Sequence, residues 1–192
     1  MNHSDLAVEN FKKGYNCSQS VVVAFCDVTG MTADYAARLS SSFGGGMGRM
    51  REVCGAVSGM LMVAGLLYGY ETPGDDESKR AHYRLVQELA GKFRDREHSI
   101  VCREILKNPP SDPNPTPRNE AFYRQRPCAR LVALAAEILD DYIKEHPVRS
   151  NRRERPMCRS HREAATLVNC NLAGRYGSTP WLSLWESWQP SG

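Results

Sequence analysis

The sequence predicts an all-α fold, and three observations carry that expectation. No stretch sustains the every-second-residue alternation of a half-buried strand. Apolar residues recur instead at helical spacing, three or four positions apart. Start and stop signals (Ser, Thr and Asn ahead, Gly and Pro behind) divide the first three quarters of the chain into segments of helical length. The expectation is a single bundle of about six or seven helices over 1–146, followed by a disordered or irregular tail over 147–192. With 192 residues, 41% apolar and 24% charged, the composition supports a packed core. It excludes a wholly disordered chain, a collagen and a small disulfide-stapled peptide.

The elements follow in order. Ser4 is the expected cap of a helix over 4–13 that turns Leu6, Val8 and Phe11 to one side. Gly14-Tyr15-Asn16 opens a second helix over 17–28, which Gly30 ends. Thr32 caps a third, to about 42. The glycine-rich connection Phe43-Gly44-Gly45-Gly46-Met47-Gly48-Arg49 precedes a long apolar helix over 52–70. Pro73-Gly74 breaks the chain before a charged amphipathic helix over 75–96, and 100–107 forms a short one. Six prolines between 109 and 127 impose an extended or irregular crossing. Pro127 then opens a last helix that ends ahead of Pro147.

Val53 to Tyr70 carries no charge over 18 positions and contains Gly55-x-x-x-Gly59. That length only touches the lower limit of a membrane span. The run is rich in Gly, Ser, Cys and Tyr and has no aromatic belts, so it reads as a central buried helix. No membrane span is expected.

Charge separates body from tail. Residues 1–145 hold 18 Lys+Arg against 19 Asp+Glu, and 146–192 hold 7 Arg against 3 Glu. The body therefore shows no nucleic-acid footprint. All three tryptophans, Trp181, Trp185 and Trp188, fall in the tail, which lacks an apolar period and reads as a solvated extension. The N-terminus has neither a basic n-region nor an apolar h-region, so a cytoplasmic setting is expected, where cysteines are reduced, metal-bound or catalytic.

Seven cysteines are many for such a chain. Cys17 opens the second helix, Cys54 the central one, Cys102 the short one and Cys128 the last. Four thiols thus sit at four predicted helix N-termini, where unpaired N–H groups and the macrodipole favour thiolate. Such placement can bring a cysteine pKa from about 8.5 down to roughly 3.5–7.5. Cys54 is expected to be the most acidic, and Arg49, Arg51 and Arg103 are near enough in sequence to help. Cys26, beside Phe25, reads as core, and Cys158 and Cys170 as tail residues outside the site. Glycines ahead of a helix can close their N–H groups on an anion or cofactor, which makes Gly44, Gly45 and Gly46 candidate binding positions. They also permit tight packing around Cys54. They follow a helix rather than a strand, so neither the dinucleotide nor the P-loop fingerprint applies. His82 and His98 are expected to be exposed side chains, and Glu52 to stabilise a helix start.

Five separated blocks carry a family resemblance. They are Gly14-Tyr15-Asn16-Cys17-Ser18-Gln19, Phe43-Gly44-Gly45-Gly46, Glu52-Val53-Cys54-Gly55-Ala56-Val57-Ser58-Gly59, Cys102-Arg103-Glu104 and Cys128. In that order the chain resembles the C_GCAxxG_C_C family of small, mostly helical prokaryotic proteins described as redox-active. The resemblance covers about 1–145. One departure is visible: the family formula places Gly-Cys before Ala-x-x-Gly, whereas this chain reads Cys54-Gly55-Ala56-x-x-Gly59. The resemblance implies a thiol or metal site. Covalent c-type haem is not expected, because no Cys-x-x-Cys-His occurs.

Two functions stay open on these residues. In the first, Cys17, Cys54, Cys102 and Cys128 perform thiol–disulfide exchange or electron transfer with a redox partner protein or a small thiol or disulfide. In the second, the same four thiolates form a tetrahedral site for zinc or an iron–sulfur cluster. The spacings of 37, 48 and 26 residues are wider than the close pairs of most knuckle sites. A third possibility is an interaction domain with incidental core thiols.

Overall fold

In the computed structural model, which describes residues 2–148, several helices begin where a side chain can occupy their first free amides. Asn2 caps α1 (His3–Lys12) by accepting from the Asp5 N–H at 2.7 Å. Ser4, the expected cap, lies inside the helix and donates its hydroxyl to Ala133 O at 3.2 Å. Asn16 and Gln19 form a reciprocal capping box at the start of α2 (Cys17–Ala24). The expected helix over 17–28 breaks at Phe25, and α3 (Cys26–Thr29) completes it before the left-handed Gly30. Thr32 caps α4 (Ala33–Ser40), as expected, and a 3₁₀ turn over Ser41–Phe43 extends it.

The apolar segment becomes α5 (Gly55–Tyr68), and the charged one α6 (Asp76–Glu97). Four more residues form α7 (Cys102–Ile105). The proline-rich crossing contains a short helix that was not expected, α8 (Glu120–Gln125), capped by Asn119 through the Phe122 N–H at 3.0 Å. It fits in the one part of the crossing without prolines. The last helix, α9, runs Cys128–Glu145.

α2 packs between α1, α4, α5 and α9, and α6 closes the outer side against α5 and α9. Phe11, Phe25, Met60, Leu89, Phe93 and Leu139 are fully buried among these helices. α5 meets α2 closely through its glycines: a Cβ on Gly59 would stand 2.8 Å from Ser18 O. Among the described residues no helix is long and apolar enough to cross a membrane, and the fold is all-helical. The single β-bridge in that region pairs Val53 with Val101. The expected tail, with its tryptophans, Cys158 and Cys170, lies outside the described residues from 149 onward.

Candidate functional site

Four chain segments, far apart in sequence, deliver one thiol each to one cavity. The Val53–Val101 bridge does part of this work. Cys54 N–H donates to Ile100 O at 2.8 Å and Cys102 N–H to Glu52 O at 2.6 Å. These bonds begin α5 three residues later than expected and set the starts of α5 and α7 side by side. The starts of α2 and α9 bring Cys17 and Cys128 to the same place. Cys17, Cys54, Cys102 and Cys128 all line a cavity of about 200 Å³. All four are free thiols; Cys54, Cys102 and Cys128 are buried and Cys17 partly so. Each stands at a helix start: Cys54 is the N-cap of α5, and the others are first residues of their helices. No side-chain hydrogen bond caps α5, α7 or α9.

Cys26 stands apart, half-buried on α3, with its sulfur 4.0 Å from Val22 O. His98 is exposed and His82 half-buried, both away from the cavity. Glu52 lies ahead of α5 and pairs with Arg103 across the bridge, so neither residue serves a thiol.

The glycine-rich connection is wound left-handed. Gly45, Gly46, Met47, Gly48, Arg49 and Arg51 all have φ between 58° and 72°. For the three that are not glycine this costs about 1 kcal/mol each. Gly44, Gly45 and Gly46 do line the cavity. Their closest packing is not around Cys54, as expected. A Cβ on Gly46 would stand 2.7 Å from Cys102 Cβ, and one on Gly44 2.5 Å from the Asn16 side chain.

The twisted backbone carries two arginines into the site. Arg51 is only 3% exposed and donates from Nε to Pro110 O at 2.8 Å. Arg49 holds the proline-rich crossing through Asp112 O at 2.6 Å, Asp112 Oδ2 at 3.2 Å and Thr116 Oγ1 at 3.0 Å. Sequence reasoning missed two more arginines. Arg118 donates to Phe11 O at 2.7 Å and Tyr15 O at 2.9 Å, with its guanidinium 4.6 Å from the Phe11 ring centre. Arg126 lies over Phe122 at 5.3 Å. Arg126 was findable, two residues before Cys128; Arg118 carries no local signal.

Equivalent helix positions do not give equivalent acidity. The Cys17 thiol donates a hydrogen bond to Cys128, which lowers Cys128 to about 7 against its burial; Arg126, Arg118 and Arg51 add to that pull. The same hydrogen bond, with burial, raises Cys17 well above the usual thiol value. Burial pushes Cys54 up to about 12, although the Ala56 and Val57 N–H groups pull the other way. Burial also raises Cys102, opposed by the Arg51 charge. Cys128, and not Cys54, is therefore the most acidic of the four cavity thiols. At Cys54, removal from water outweighs the helix terminus.

The family comparison matches the chain over residues 15–142, to a family described as "Putative redox-active protein (C_GCAxxG_C_C)". The chain belongs to the C_GCAxxG_C_C family. No curated protein and no solved structure matches it. The matched span contains all four cavity thiols of this family member. A Cβ at Gly55 would stand 2.8 Å from Phe43 O and 3.1 Å from Cys17 Cβ, so position 55 has no room for a side chain.

Redox chemistry and metal binding ask different things of four thiols. Among the described residues, no group of three or more His, Cys, Asp or Glu side chains is gathered closely enough to hold a metal ion.

Proposed function

We propose that this protein performs thiol–disulfide exchange through Cys128, with Cys17 as the resolving thiol. The observation that supports this most is that Cys17 and Cys128 meet at the starts of α2 and α9 on one cavity wall shared with Arg51, Arg118 and Arg126, an arrangement that holds Cys128 below and Cys17 above the ordinary thiol value. Such a split suits a thiolate that attacks near neutral pH beside a thiol that keeps its proton until the second step. The Cys128 thiolate attacks one sulfur of a substrate disulfide, forming a mixed disulfide and releasing a thiolate. That thiolate takes the Cys17 proton. Cys17 sulfur then attacks the Cys128 sulfur and expels the second thiolate. Two electrons pass to the substrate and a Cys17–Cys128 disulfide remains. Cys54 and Cys102, both held as thiols by burial, line the wall and are a second reducing pair only if the cavity opens.

The test is a thiol count with intact mass on protein oxidised by a small disulfide and then reduced. The expected product has lost two hydrogens and yields one cross-linked peptide pair containing Cys17 and Cys128. Unchanged mass and an unchanged thiol count would refute the proposal.

A further inference from the structure

Every charged side chain that lines the thiol cavity is an arginine: Arg49, Arg51, Arg118 and Arg126, with no carboxylate among the lining residues. Their situations differ. Arg49 is neutralised by Asp112. Arg118 is spent on the carbonyls of Phe11 and Tyr15. Arg51 has no ion-pair partner among the described residues, and its Nη2 is buried without any hydrogen bond. A guanidinium that is 3% exposed, with one nitrogen unpaired, is costly unless an anion joins it. The guanidinium also hydrogen-bonds the Cys102 thiol, which leaves its positive charge without a carboxylate beside a cavity walled otherwise by such apolar groups as Ile105, Leu106 and Leu131.

We infer that the cavity takes a low-molecular-weight disulfide bearing a carboxylate, which the Arg51 guanidinium attracts while the disulfide faces Cys128. This rests on the thiol–disulfide reading above and names its substrate class. Arg118 and Arg126 also lack a carboxylate partner among the described residues, and Arg126, which is not held by backbone carbonyls, is the second point of attraction. The exchange is the one already balanced: the disulfide is reduced to two thiols, one of them leaving with the Cys17 proton, and the Cys17–Cys128 disulfide forms. A charge-assisted hydrogen bond from a buried guanidinium favours the anionic substrate over a neutral one of similar size by about tenfold or more.

The experiment compares three small disulfides on the full chain: dithiodiglycolate (anionic), hydroxyethyl disulfide (neutral) and cystamine (cationic). The rate of mixed-disulfide formation is read by intact mass. The ratio of anionic to neutral rate is used, because it cancels the thiolate fraction, which the arginines also influence. The expected order is dithiodiglycolate, then hydroxyethyl disulfide, then cystamine. In Arg51→Gln the anionic-to-neutral ratio falls several-fold toward one. Arg126→Gln, at a partly exposed position, keeps the fold testable if the buried substitution does not, and lowers the ratio by a smaller factor. Equal rates for all three disulfides in the unsubstituted protein would overturn the inference and leave the thiol reading standing, with the arginines serving only the thiolates. No reaction with any of them would overturn the thiol reading and this inference with it.

Discussion

The N-termini of α5 and α9 present the same device with opposite results. Each places a cysteine at the start of a long helix, uncapped by any side chain, on the wall of one cavity. At α9, a hydrogen bond from Cys17 and three arginines hold Cys128 low. At α5, burial dominates and Cys54 is driven up to about 12. A helix terminus biases a thiol, but its neighbours and its access to water decide the outcome.

The largest effect that could break this contrast is reactivity at pH 7. Cys128, lowered to about 7, is available as thiolate there, whereas Cys54, pushed up to about 12, is held as the thiol. The stronger nucleophilicity of the less acidic thiol recovers part of that gap. The expected remainder is about two to three orders of magnitude. Cys128→Ser should therefore abolish the fast reaction with a small disulfide, while Cys54→Ser changes it less than about twofold. Loss of the fast phase in Cys54→Ser alone would reverse the assignment.

Next comes packing. Gly59→Ala sets a Cβ against Ser18 O one turn from the thiols. It should cost about 1–3 kcal/mol in denaturant unfolding and leave the Cys128 titration in place. A shift of that midpoint would mean that helix packing and thiol acidity are coupled more tightly than proposed.

Cys54 contributes to the alkaline limb of stability, together with Cys17 and Cys102. Its folded value lies above the ordinary 9.0, so the protonated thiol contributes stability that is complete below about pH 9 and is lost as the pH rises toward 12. Cys54→Ala should flatten that loss. Cys128 has the opposite sign: its contribution is present above pH 9 and is lost as the pH falls through about 7. The smallest effect is expected from Arg126→Gln, which should raise the Cys128 midpoint by under one unit and leave Cys54 unchanged, measured by thiolate ultraviolet absorbance.

Much of this architecture is legible in the sequence. Thr32, Gly30, Pro73-Gly74 and Pro127 punctuate the helices with local chemistry, and the structure follows them. The four thiols could be placed at helix starts for the same reason. What could not be read is which distant segments meet. The bridge that trims α5 depends on Val101, 48 positions after Val53, and no local pattern encodes it. Cys54 was expected to be the most acidic thiol because its place on a helix is local, while its burial is a property of the whole fold. Arg118 enters the cavity from the proline-rich crossing by the same kind of non-local arrangement.

The Val53–Val101 bridge has a kinetic consequence. The Cys54 amide is bonded to Ile100 and the Cys102 amide to Glu52, so the two residues are fastened by one ladder. A fluctuation that frees either must break bonds belonging to both, and their amides should exchange with deuterium as one unit. Slow alkylation of the buried pair should then run in doublets. Molecules would carry neither label or both, and those carrying one would stay rare throughout the reaction.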